Sequence, residues 1–110
     1  MYQCVNAPYT QWPECFPPLQ WGVLAAAGRT GARLVALENL YGYGPAGGKA
    51  ISEDLPLAAA TVEGRIRAAI TSELLAAAAG AGRVRLAIGR ASDFSGPGVA
   101  QGPVACPAAR

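Results

Sequence analysis

Gly42, Gly44 and Gly47 follow the apolar run Ala32–Leu37. Their G-x-G-x-x-G spacing is that of a turn whose backbone N–H groups approach a phosphate. Such a turn needs a helix to start inside it, so that N-terminal N–H groups face the anion. Here Pro45, Gly47 and Gly48 lead into KAISEDLP, which is loop chemistry. The acidic residue wanted about 20 residues further on would fall inside a helical stretch, Val62–Ile70. A P-loop fails as well: Tyr43 stands where its first glycine belongs, and Ala50 replaces the Ser or Thr. The residues favour a flexible glycine-rich loop after a strand over a phosphate cradle.

The other reactive residue types are few. The chain has no histidine, which removes Ser-His-Asp and Cys-His chemistry. Any acid–base work falls to tyrosine, the single lysine Lys49, arginine-assisted water or carboxylates. Cys4, Cys15 and Cys106 are widely spaced and odd in number, so neither a zinc site nor a disulfide framework is expected. They read as reduced structural thiols. No metal site is expected.

The totals bound the rest. With 110 residues, 52% of them hydrophobic and 15% charged, the chain makes one modest globular domain. A net charge of +2 with scattered arginines gives no case for nucleic acid. Apolar stretches are too short for a bilayer, and the opening MYQCVNAPY has no signal-peptide pattern. A cytoplasmic setting with no membrane partner is expected.

The elements that must position these residues are three apolar runs and two helical stretches. Tyr2–Val5, Arg33–Leu37 and Arg85–Ile88 are continuous rather than alternating, as strands of a parallel sheet covered on both faces are. PPLQWGVLAAAGRTG opens with Pro17 and Pro18, suited to a first helical turn, and stops at Gly31. Leu19, Val23, Ala26 and Ala27 recur within it at helical spacing. TVEGRIRAAITSELLAAAAGAG carries a stripe of Val62, Ile66, Ala69, Ile70, Glu73, Leu74 and Ala77, with Gly80 and Gly82 ending it. Glu63 and Arg67 sit one turn apart and are expected to pair. The order is β-α-β-α-β, an α/β fold with a partial Rossmann-like parallel sheet. A mixed α+β domain is the competing arrangement. Three strands with two helices leave edges and faces that need covering, so a piece of a longer protein is favoured over a free-standing domain.

Three segments carry a resemblance. ENLYGYGP (Glu38–Pro45), straight after a strand, resembles the S-S-x-x-V-Y-G segment of extended short-chain dehydrogenases/reductases, the NAD-dependent epimerase/dehydratase family. GRASDFSGPG (Gly89–Gly98) resembles that family's R-x-x-N-x-Y-G-P-G, with Arg90, Gly96, Pro97 and Gly98 in register. YQCVNAPY is similar to the family's fourth strand and the loop beneath the nicotinamide. The resemblance implies that residues 1–102 form the central part of an NAD(P)-binding Rossmann-like domain, its fourth to sixth strands, and that residues 103–110 are a loose tail. The glycines of 42–47 would then line the substrate side. The cofactor's glycine-rich turn would precede this stretch in the parent.

In that family a tyrosine is the acid–base group and a lysine four residues on lowers its pKa. The logic is that a phenol near pKa 10 works at neutral pH only beside a cation. No Tyr-x-x-x-Lys exists here. Alignment of the second helix puts Thr61 at the tyrosine position and Arg65 at the lysine position. Asn39 takes the hydroxyl position, with Tyr43 and Tyr41 as substitute phenols, and Asp93 replaces the later asparagine. The resemblance therefore implies catalytic roles for Asn39, Tyr43, Thr61 and Arg65. It implies cofactor contacts from Asn6, Ala7 and Arg65, and a substrate side at Tyr41 and Asp93. Thr61 is too weak an acid to replace a tyrosine, whereas Arg65 offers a permanent charge for a ribose.

The expected function is a fragment of an NAD(P)-dependent oxidoreductase acting on a sugar nucleotide or similar hydroxyl/carbonyl substrate. It should be inactive alone and bind no cofactor alone; NAD or NADP and a possible homodimer belong to the parent. The alternatives are a non-catalytic NAD(P)-sensing or scaffold protein on the same fold, and a stand-alone α/β domain of unrelated function.

Overall fold

The computed structural model describes residues 1–80 and 84–93. The tail 103–110, the Gly96–Gly98 match, Gly82 and Cys106 lie outside the described residues. Three strands, β1 (Tyr2–Gln3), β2 (Arg33–Asn39) and β3 (Arg85–Ala91), alternate with two helices, α1 (Trp12–Thr30) and α2 (Val62–Ala79). The strands form one sheet in the order β1-β2-β3, and both pairings are parallel. The fold is α/β, consistent with part of a Rossmann-like domain. Tyr2 lies beside Val35, and the β2–β3 register runs from Arg33 beside Arg85 to Asn39 beside Ala91.

α1 starts five residues before the prolines expected to open it, so Pro17 and Pro18 lie inside the helix. Trp12 and Phe16, on one face one turn apart, explain the earlier start. They are 3% and 1% exposed, and burying two such rings contributes several kcal/mol, roughly 2–3 each, against the backbone bonds that the prolines forgo. Gly31 closes the helix in the left-handed conformation at φ 64°, where a side chain is disfavoured.

α2 is capped by Thr61, whose Oγ1 accepts from the Gly64 amide at 3.0 Å. Its buried stripe is Gly64, Arg67, Ile70, Thr71 and Leu74. That is rotated from the expected stripe, since Val62 is 51% exposed and Glu73 is also exposed. Gly64 sets the rotation. A Cβ there would stand 2.7 Å from the Ala59 Cβ and 2.8 Å from the Tyr41 carbonyl oxygen, so only glycine lets the helix sit this close. Arg67 consequently points inward and pairs with Glu38, not with Glu63.

Both helices pack on the face of the sheet that carries Leu34, Ala36 and Glu38. Leu34 and Ala36 join Trp12, Phe16, Ala27, Ile70, Leu74 and Val84 in one core. Gln3 and Gln20 share a hydrogen bond of 2.6 Å within that layer. The other face differs from the expectation of two covered sides. Tyr2 is 80% exposed, Leu37 is 56% exposed, and Ala87, Gly89 and Ala91 are exposed beside them. Among the described residues, none covers this face.

Candidate functional site

At the carboxyl ends of the three strands lies a cleft of about 770 Å³. An open parallel sheet places ligands there, because loops leave the strands and diverge at that edge. β1 delivers Asn6 and Ala7, β2 delivers Glu38 and Asn39, and β3 delivers Asp93. Trp12, at the start of α1, donates its indole N–H to the Ala7 carbonyl at 2.9 Å and forms a wall.

The floor is an ion pair. Arg67 Nη1 stands 3.2 Å from Glu38 Oε2, and the two side chains are 9% and 1% exposed. The guanidinium lies over two aromatic rings, 4.2 Å from the Trp12 centroid and 4.3 Å from that of Phe16. Delocalised charge over π faces offsets part of the desolvation that burial imposes. Arg67 Nη2 also donates to Asn6 Oδ1 at 3.4 Å, which ties α2 to the loop after β1. Burial pushes the Glu38 carboxyl pKa up, and Arg67 and Arg90 oppose that shift. Glu38 Oε1 and Arg67 Nε, both buried, have no hydrogen-bond partner.

The rim is built from the segment after β2. Asn39 Oδ1 accepts from the Tyr41 amide at 3.1 Å, a side-chain turn that starts the short 3₁₀ helix Tyr41–Tyr43. Tyr41 then donates its hydroxyl to Asp93 Oδ1 at 2.9 Å. Burial, followed by that hydrogen bond and the Asp93 charge, pushes the Tyr41 pKa up to about 12. A second recess of about 350 Å³ shares Tyr41, Ser92 and Asp93 with the cleft, so the Tyr41–Asp93 bridge stands between the two.

Of the residues singled out in the sequence, Asn6, Ala7, Asn39, Tyr41 and Asp93 meet at the cleft. Thr61, Tyr43 and Arg65 do not line it. Thr61 borders the smaller recess with its hydroxyl engaged as the α2 cap. Arg65 donates to the Ala60 carbonyl at 2.6 Å. Tyr43 is 7% exposed, accepts a hydrogen bond from Arg90 at its hydroxyl, and has the Arg90 guanidinium 5.2 Å from its ring. The two phenols that line the cleft, Tyr9 and Tyr41, have their pKa values pushed up, by burial first, and not lowered.

Beyond the 3₁₀ turn the glycine-rich segment is a loop, with Gly44, Gly47 and Gly48 at φ 71°, 59° and 79° and no helix between Gly44 and the start of α2 at Val62. A side chain at Gly44 would overlap the Ala58 carbonyl, so the two ends of the loop touch there.

The sequence reading missed Glu38, Arg67 and Trp12 as site residues. The available signal was a charged residue, Glu38, in phase with Leu34 and Ala36 along one strand, which requires a buried partner.

Among the described residues, no three Cys, Asp or Glu side chains gather as a metal site, and no helix is long and apolar enough to cross a membrane. Comparison of the chain with protein-family models, curated proteins and solved structures finds no match.

Proposed function

We propose that the chain is the central part of an NAD(P)-dependent oxidoreductase resembling the extended short-chain dehydrogenases/reductases, acting in the cytoplasm on a sugar nucleotide or a similar hydroxyl/carbonyl substrate. The observation that carries this reading is the meeting of Asn6, Ala7, Asn39, Tyr41 and Asp93 at the carboxyl edge of a parallel sheet taken in chain order. The uncovered sheet face adds support, since parallel sheets are normally buried on both sides. NAD or NADP would be held chiefly by a glycine-rich turn elsewhere in the parent, and a homodimer would use an interface that the parent supplies.

A second reading, a non-catalytic NAD(P) sensor or scaffold on this fold, draws on the tyrosines. Tyr41, its pKa pushed up to about 12, is not poised to exchange a proton at neutral pH, and the Tyr43 hydroxyl is engaged by Arg90.

Titrating NADH into the isolated chain, read by energy transfer from Trp12 and Trp21, should give no saturation in the micromolar range; tight binding there overturns the fragment reading. The chain expressed with its in-frame upstream sequence should bind NADH. Hydride transfer by that longer protein supports the oxidoreductase, binding without transfer supports the sensor, and no binding removes both.

A further inference from the structure

We propose that the cleft binds a small planar aromatic cation bearing N–H donors, an amidinium or an aryl ammonium, between the Glu38 carboxylate and the rings of Tyr9, Trp12 and Tyr41. The inference concerns the chain without any dinucleotide and does not depend on the oxidoreductase reading.

The argument begins with Glu38. Its side chain is 1% exposed and lines the cleft, Oε2 faces Arg67, and Oε1 has no donor. With Oε2 paired to the Arg67 guanidinium at 3.2 Å, Oε1 is left buried without a hydrogen bond. The neighbouring acceptors already have donors. Asn6 Oδ1 takes Arg67, Asn39 Oδ1 takes the Tyr41 amide, and Asp93 Oδ1 takes the Tyr41 hydroxyl. What the cleft lacks is a donor.

Charge points the same way. Among the described lining residues, Glu38 and Asp93 are acidic and Arg67 alone is basic. Arg67 is paired with Glu38 and covered by Trp12 and Phe16, so among the described lining residues Asp93 has no cation of its own. Shape supplies the aromatic requirement. Tyr9 and Tyr41 each lie beside Trp12, with ring centroids 4.8 Å and 6.5 Å away and planes tilted by 48° and 36°, so a cation here meets aromatic groups at several angles. The volume of about 770 Å³ falls within the usual range for small-molecule sites.

Benzamidine is the probe. The chain has two tryptophans, and Trp21 is 65% exposed, so Trp21→Phe leaves Trp12 as the only indole reporter. Benzamidine should quench Trp12 emission saturably. Benzoate, which lacks the donors, and cyclohexylamine, which lacks the ring, should each bind at least about tenfold more weakly. Glu38→Gln in that background should weaken benzamidine about tenfold. Should Glu38→Gln fail to fold by circular dichroism, Asp93→Asn at the rim carries the test, with a loss of about threefold from removal of its charge. Arg67 Nε, also without a partner, offers Oε1 a different fate, a two-bonded pair within the protein. Absence of saturation would assign Oε1 to that pair and overturn the proposal. Equal binding of benzoate, or full affinity in a folded Glu38→Gln, would overturn it too. None of these outcomes bears on the NADH titration.

Discussion

Glu38–Arg67 and Tyr41–Asp93 each join segments distant in sequence, 29 residues apart in one case and 52 in the other. Both stand at the carboxyl edge of the sheet, yet they differ in what they cost and what they hold. Glu38–Arg67 is buried, charged and covered by aromatic rings, so the packing of α2 on β2 depends on both charges being paired. Tyr41–Asp93 lies at the rim and ties the segment after β2 to the segment after β3. The difference teaches that a polar residue near a cleft has two possible employments: setting the frame, or lining the space within it. Only the second leaves fold stability largely unchanged when it is removed.

Arg67→Met should have the largest effect, because it strands the Glu38 charge in the core. A loss of about 3–5 kcal/mol in urea unfolding is expected; a loss below 1 kcal/mol, on the same scale, would erase the distinction between the pairs. Replacing both partners, Glu38→Leu with Arg67→Met, should recover most of that loss, to within about 1–2 kcal/mol of the parent, since no charge then remains buried. A double variant as unstable as Arg67→Met would mean that the aromatic contacts of Arg67, not its charge, hold the frame.

Tyr41→Phe should cost about 1 kcal/mol or less, the scale of one hydrogen bond near the surface. The smallest effect is the pH response of the same residue. Its folded pKa, about 12, exceeds the ordinary value of 10.0, so the folded state keeps a proton that the unfolded chain gives up. The stability from this group is fully present below pH 10 and declines as pH rises toward about 12. Absorbance at the phenolate band should show a late-titrating tyrosine that Tyr41→Phe removes and that Asp93→Asn moves back toward 10.0.

The parallel α/β sheet was legible because continuous apolar runs separated by helical periodicity leave few other arrangements. The end of α1 was legible in Gly31, and the start of α2 in Thr61, where local backbone chemistry decides the outcome. The beginning of α1 was not, because Pro17 and Pro18 look like a first turn until the burial of Trp12 and Phe16 is known. The phase of α2 was hidden for a similar reason. Gly64 sets it through contact with Ala59 and Tyr41, and no count of apolar residues contains that contact. At the candidate site, Asn6 could be found from its place after a strand, whereas Asn39, Tyr41 and Asp93 were reached through the family resemblance. Glu38 and Arg67 were hidden behind the expected strand end at Leu37: only once β2 is known to run two residues further does the phase of Glu38 with Leu34 and Ala36 become a signal.

The contact at Gly44 divides the chain's tolerance for change. Where its backbone meets Ala58, the intervening stretch is pinched off like a drawstring bag, and residues 46–56 border neither recess. Evolution or an engineer could lengthen that stretch freely, because doubling a flexible loop adds only about 0.6 kcal/mol to its closure. A tag or reporter inserted there would hang from the protein without disturbing the chemistry at the sheet edge.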